Sequence, residues 1–155
     1  MALCRLQQLL HELGPAFRGE VEHREHGRRA LLVPVPGEQH SFGLFMVAEF
    51  FRRAGWDVAS GPPGSVAELV RLVRGEWFAV VGLSVSSDAK LDALASSIRA
   101  IRRASRNRAI GVLAGGPVFL EHPELVALVG ADATATDGRQ ATVQARNLLA
   151  LMARR

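Results

Sequence analysis

The spacing of hydrophobic positions changes several times along the chain, and each change marks an element. Leu3, Leu6, Leu9, Leu10 and Leu13 recur at helical spacing until Gly14-Pro15, which predicts a short amphipathic helix with one face in need of a partner. From Phe17 the chain turns polar and loses its period, so residues 1–28 read as an N-terminal helix and linker and 29–155 as one domain. An apolar run over Ala30–Val35 predicts a strand that Pro34, Pro36 and Gly37 close. Helical spacing resumes at Phe42 and lasts to Ala54, with Gly55 as its stop. A second strand is expected at Trp56–Ala59, then a helix over Val66–Arg74 introduced by a Ser65/Glu68 capping box. Phe78–Leu83 predicts a third strand. Asp88 or Ser87 is expected to cap a helix that reaches about Ser105. Ala109–Ala114 predicts the fourth strand, Val118–Val129 a short helix broken near Pro123, Ala131–Thr134 a weak fifth strand, and Gln140–Met152 the last helix.

Strands alternating with helices imply an α/β fold: a doubly wound, five-stranded parallel sheet with helices on both faces, Rossmann-like and of flavodoxin-like strand order. The strand runs are continuously apolar, as buried parallel strands are. Ligands of such sheets bind outside the carboxyl ends of the strands. Four loops fall there: Gly37 to Ser41, Ser84 to Ser87, Gly115-Gly116, and the polar turn around Thr136-Asp137-Gly138.

Composition narrows the class. With 155 residues, 48% apolar and 22% charged, the chain is an ordinary globular domain. Its single cysteine, Cys4, excludes an internal disulfide framework and fits a reducing compartment. No apolar run reaches the ~18 residues of a membrane span, and the N-terminus lacks a signal-peptide pattern. The expectation is a cytoplasmic domain without membrane contact. The net charge of +4 comes almost wholly from arginine, since Lys90 is the one lysine. Arg99, Arg102, Arg103, Arg106 and Arg108 crowd the end of one predicted helix and Arg52-Arg53 end another. Helix dipoles favour some of this as ordinary capping and solubility, and the other reading is a basic face for an acidic partner or for DNA. No helix-turn-helix or zinc-finger pattern is present, so direct DNA contact is disfavoured.

The first loop offers Glu38, Gln39, His40 and Ser41. Imidazole can ligate a metal while its other nitrogen donates to a carboxylate, for which Glu38 is near enough in sequence. The same residues also suit a plain solvated loop. Ser84 and Ser86 flank Val85 at a strand end, where hydroxyls either cap a helix or meet a polar ligand. Gly115 and Gly116 mark a positive φ or a close approach to backbone. Neither G-x-G-x-x-G nor G-x-x-x-x-G-K-[ST] occurs, which excludes the usual nucleotide loops. A Ser84–His40–Glu38 nucleophile triad lacks the G-x-S-x-G elbow. His23 and His26 read as linker residues, and Trp56 and Trp77 as anchors of the sheet edge.

Taken together, Glu38-Gln39-His40-Ser41-Phe42-Gly43 resembles the D-x-H-x-x-G signature of the cobalamin-binding domains. Ser84-Val85-Ser86 stands at their serine loop and Gly115-Gly116 at their paired glycines, in an order that agrees from about residue 29 to 153. The resemblance implies that His40 is the lower axial ligand of cobalt. It further implies that Gly43 lets the dimethylbenzimidazole tail past the helix start, that Ser84 bonds the displaced base, and that Gly115 and Gly116 line its slot. Gln39, Ser41, Phe42, Val85, Ser86 and Thr136 complete the expected cofactor-binding set. Glu38 departs from the family's aspartate, and its extra methylene implies either a repositioned hydrogen bond to His40 or a more loosely held His40.

Glu38 and the run from Phe50 to Trp56 are similar to one branch, the antirepressors of photosynthesis genes in purple bacteria and a related sensor domain that can take haem. That likeness implies a light- or redox-responsive regulator that binds adenosyl-, methyl- or hydroxocobalamin, or haem instead. Its partner would be a DNA-binding transcription regulator reached by protein contact, and it would have no catalytic residues. The alternative is a corrinoid carrier domain of a methyltransferase system, although the residues before the first strand are too few for the helical bundle such subunits carry.

Overall fold

The computed structural model describes residues 27–38, 42–61 and 64–154. Four parallel strands make its centre: β1 (Arg29–Pro34), β2 (Asp57–Ser60), β3 (Val80–Ser84) and β4 (Gly111–Gly115), in the spatial order β2-β1-β3-β4. In register, Leu31 lies between Ala59 and Val81, and Val81 lies beside Val112. The helices are α1 (Phe42–Arg53), α2 (Val66–Gly75), α3 (Leu91–Ala104), α4 (Pro117–Glu121), α5 (Leu125–Leu128) and α6 (Gly138–Ala153). The predicted helix of residues 1–13 and the linker histidines His23 and His26 lie outside the described residues.

Successive strand residues point to opposite faces, and both faces are covered. Leu31, Val33, Val81 and Val112 pack with Leu69 and Val73 of α2 and Leu94, Ile98 and Ile101 of α3. Leu32, Val58, Val80 and Leu113 pack with Ala48 and Phe51 of α1 and Ala141 and Ala145 of α6. Each fully buried large side chain contributes about 1.5–3 kcal/mol. The Trp56 ring meets Phe51 edge-on at 5.4 Å, joining the start of β2 to α1 as an anchor of the sheet edge should.

The expected fifth strand is reduced to a single parallel bridge between Ala133 and Leu113. Its place beside β4 is kept, because Ala114 N–H donates to the Ala133 carbonyl at 3.0 Å. The ladder stops there because the Asp132 carboxylate, not a backbone carbonyl, accepts the Val112 N–H at 2.8 Å. A side chain has taken the bond that a longer strand would have used. Strand order is otherwise flavodoxin-like, as expected.

Helix starts follow the sequence with one repeated variation. Ser65 Oγ accepts from Glu68 N–H at 3.2 Å, as the capping box requires, but the Glu68 carboxylate reaches back past Ser65 to Gly64 N–H at 2.7 Å. Asp137 caps α6 in the same way through Gln140 N–H at 2.8 Å, and Gln140 Oε1 reaches back to Thr136 N–H. That pair begins α6 at Gly138, two residues earlier than the apolar spacing predicts. Neither Ser87 nor Asp88 caps α3 with its side chain; a 3-10 turn over Asp88–Lys90 leads into the helix instead. This winding places the loops after β1, β3 and β4 and the turn before α6 at one edge of the sheet.

Candidate functional site

At that edge a cavity of about 790 Å³ opens between the sheet and the α1/α6 layer. Its volume is in the range of small-molecule sites. Leu32, Gly82 and Leu113 of the strands form its floor, Leu44, Val47 and Phe51 of α1 one wall, and Ala135 to Gly138 with Ala141 the other. The last residues of β3 and β4 and those that follow them, Ser84 to Ser86 and Gly115 to Pro117, close the end.

Glycine shapes this space in different ways. Gly116 has φ +133°, and a Cβ there would collide with the Val85 carbonyl oxygen, so the two loops can touch only with glycine present. Gly115 is different: a Cβ would meet only the Leu83 carbonyl oxygen, at 4.0 Å, leaving open space beside it. A Cβ at Gly43 would have nothing within 4 Å, so the first turn of α1 leaves the slot uncrowded. At Gly138 a Cβ would strike the Phe50 ring at 2.6 Å, and its absence lets α6 close on α1.

The loop after β1 is held from the loop after β3. Pro36 and Gly37 form a turn that the Val35 carbonyl closes by accepting Glu38 N–H at 2.8 Å, with Gly37 at φ +89°. Glu38 is then turned inward and is only 8% exposed. Its carboxylate accepts the Ser86 N–H at 2.9 Å and lies 2.9 and 3.0 Å from Ser86 Oγ. Lys90 Nζ donates to the Gly37 carbonyl at 2.6 Å. Two ties therefore fix the turn over Pro36, Gly37 and Glu38.

Gln39, His40 and Ser41, and the side chain of Phe42, lie outside the described residues. The cobalt-ligand and triad roles considered for His40 fall there too. Of the remaining expected site residues, Gly43, Ser84, Val85, Ser86, Gly115, Gly116 and Thr136 all line the cavity. Glu38 stands behind them, on Ser86. Thr136 Oγ1 is committed to Gln140 Oε1 at 2.9 Å. Ser84 differs: its Oγ is buried and has no hydrogen-bond partner among the described residues. A buried hydroxyl without a partner costs free energy unless something else accepts its proton.

Sequence reasoning missed the floor and side walls. Gly82, inside an otherwise unbroken apolar strand, was the available signal: a Cβ there would meet Leu32 Cδ2 at 2.6 Å, so its absence makes room for Leu32. Among the described residues no group of three or more His, Cys, Asp or Glu side chains gathers as a metal site. No helix among them is long and apolar enough to cross a membrane.

These residues fit a corrinoid with its nucleotide tail inserted. The apolar slot has room for an aromatic ring, its glycines leave the walls uncrowded, and Ser84 Oγ offers an unused hydrogen bond. Comparison with known proteins agrees. An uncharacterized 20.5 kDa protein in the bchF-crtJ intergenic region of Rhodobacter capsulatus is 29% identical over 137 residues, covering 88% of this chain and 71% of that one. A cobalamin-binding protein from Desulfitobacterium hafniense superposes with a TM-score of 0.70 at 22% identity, over 82% of this chain. The monomethylamine corrinoid protein of Methanosarcina barkeri does so with a TM-score of 0.66 at 16% identity, over 92% of this chain. The chain spans 60% and 66% of those two proteins' lengths, and at such identities they speak for the fold. Residues 28–146 match the B12 binding domain, and the chain belongs to that family.

Proposed function

We propose that this domain holds a cobalamin and uses it to regulate a DNA-binding transcription regulator by protein contact, as an antirepressor. The observation that carries the cofactor half is Ser84 Oγ, buried at the slot and unpartnered. The regulatory half is supported by the relative whose gene region is described by bchF and crtJ, together with the Glu38 loop and the Phe50 to Trp56 run.

On this reading each residue has a task of binding or orientation. Ser84 Oγ–H would donate to a nitrogen of the base, and Gly115 would leave room for its ring. Glu38, fixed by Ser86, orients the loop from which His40 would reach cobalt. Lys90 holds the turn behind it. The cofactor, when bound, would supply a cobalt centre that responds to light or redox change. Coupling to a partner requires contacts that differ between two states of the domain. The domain would act by contact and not by turnover, in the cytoplasm.

The test is to incubate the purified protein in the dark with adenosyl-, methyl- and hydroxocobalamin and, separately, with haemin, beside His40→Ala. A corrin spectrum that co-elutes, with axial-ligand bands altered in the variant, supports the reading, and illumination then reports whether light changes it. Retention of haemin alone would replace cobalamin by haem. Retention of neither would remove the cofactor half.

A further inference from the structure

The edge of the sheet opposite the cavity gathers positive charge. Helices run antiparallel to the strands, so α1, α2 and α3 all end there, and each carries arginine in its last turn. Carboxylates at this edge are already engaged. Glu49 lies 3.9 Å from Arg52 and 3.5 Å from Arg53, Asp57 pairs with Arg29 at 3.1 Å, and Asp132 pairs with Arg102 at 3.2 Å. Glu76 lies 3.7 Å from Arg29 as well.

Helix-dipole compensation accounts for some of these arginines but not for all. Arg102 bonds the Ile110 and Gly130 carbonyls, and Arg108 bonds the Arg103 carbonyl, so both have structural duties. Arg71, Arg74, Arg103 and Arg106 have none: their guanidinium groups are exposed and make no hydrogen bond or ion pair among the described residues. They sit on adjoining ends of α2 and α3, joined where Arg106 N–H donates to the Val73 carbonyl at 2.8 Å. Leu72, 37% exposed, stands between Arg71 and Arg74 in sequence and adds an apolar element to the same helix end.

We propose that the ends of α2 and α3 form a docking surface for an acidic, amphipathic segment of a partner protein. Guanidinium forks match carboxylates in bidentate pairs, and an exposed apolar side chain on the same helix end suits a segment that mixes Glu or Asp with Leu. The surface favours protein over nucleic acid for two reasons. Among the described residues no exposed aromatic side chain stands beside these arginines to stack a base, and the ends of α2 and α3 adjoin instead of projecting an element into a groove. The patch lies on the α2/α3 face, while the cavity lies under α1 and α6 at the other edge, so a bound cofactor leaves it accessible. This inference rests on the proposed reading of the chain as a partner-binding regulator and assigns where that contact is made.

The experiment uses the full chain and two fluorescent probes, a helical peptide of roughly twenty residues with Glu on one face around central Leu residues, and a DNA duplex of about twenty base pairs. Anisotropy titrations compare wild type with Arg74→Glu/Arg106→Glu and with Arg139→Glu/Arg146→Glu, which changes net charge equally on α6. Peptide affinity should fall about tenfold or more in the first variant and less than about twofold in the second, as for charge pairs at a defined contact. Equal losses in both variants, or no peptide binding by wild type, would overturn the proposal. So would tighter binding of the duplex than of the peptide, lost in the first variant. Cobalamin retention is measured on the same samples. Retention without peptide binding removes the docking surface and leaves the cofactor reading intact; loss of both removes the two together.

Discussion

Glu38 and Ser86 stand forty-eight positions apart in sequence, and Ser86 presents both its N–H and its hydroxyl to the Glu38 carboxylate within 3.0 Å. A carboxylate this buried needs such donors, since hydrogen bonds to a charged group contribute about 1.5–3 kcal/mol and its desolvation is costly without them. Ser86→Ala removes the hydroxyl but keeps the N–H. We expect it to lower stability by about 1–2 kcal/mol in urea melts. The pair should also be non-additive: Glu38→Gln and Ser86→Ala combined should cost about 1 kcal/mol less than their sum, as coupled neighbours do.

Glu38→Asp restores the family's usual residue and shortens the arm by one methylene. Ser86 is placed for the longer side chain, so the aspartate must give up at least one of the two contacts or pull the Pro36-Gly37 turn inward. A modest loss, about 0.5–1.5 kcal/mol, is expected by thermal or urea unfolding. A gain in stability would show that glutamate is the strained choice.

Glycine substitutions should separate folding from cofactor uptake. Gly116→Ala collides with the Val85 carbonyl and must adopt φ +133°, so it should cost several kcal/mol, at the high end of single substitutions, or prevent folding. Gly115→Ala meets only ordinary contact and should fold with stability near wild type, yet its methyl group enters the slot and should reduce cobalamin retention. Circular dichroism melts and co-elution of corrinoid read the two effects independently.

Much of this site could be read from the chain because its signals are local. Pro36-Gly37 fixes a turn with positive φ, Gly115-Gly116 follows a buried strand, and Ser84 ends one, so each residue announces its loop without reference to the rest of the fold. What stayed hidden depends on distant partners. The Glu38–Ser86 pair joins two loops across β1 and β3, and neither residue type signals the other. The slot floor needs Leu32 to lie over Gly82, which only strand register decides. The fifth strand failed because an aspartate side chain replaced a backbone acceptor, a substitution that periodicity does not register. The start of α6 was missed for a related reason: Asp137 and Gln140 set it through capping bonds, ahead of the first apolar residue.

Lys90→Met removes the tie to the Gly37 carbonyl and leaves a side chain of similar length. Because this contact is near the surface, the stability loss should be below about 1 kcal/mol. Its effect should show in the loop it holds, as faster amide exchange at Glu38 and weaker cobalamin retention. Lys90→Arg, which can still donate to that carbonyl, should recover most of the retention.

The most direct measurement is a cobalamin titration and an unfolding curve on the same preparations of wild type and Ser84→Ala. Removing a buried hydroxyl that has no partner should leave the cofactor-free protein as stable as wild type or more so, by up to about 1 kcal/mol, while losing a hydrogen bond to the inserted base should weaken binding about five- to tenfold. Opposite signs from one substitution would place Ser84 in the slot as a ligand group. Equal cobalamin affinity in both proteins, or a loss of stability matched by no change in binding, would contradict the account.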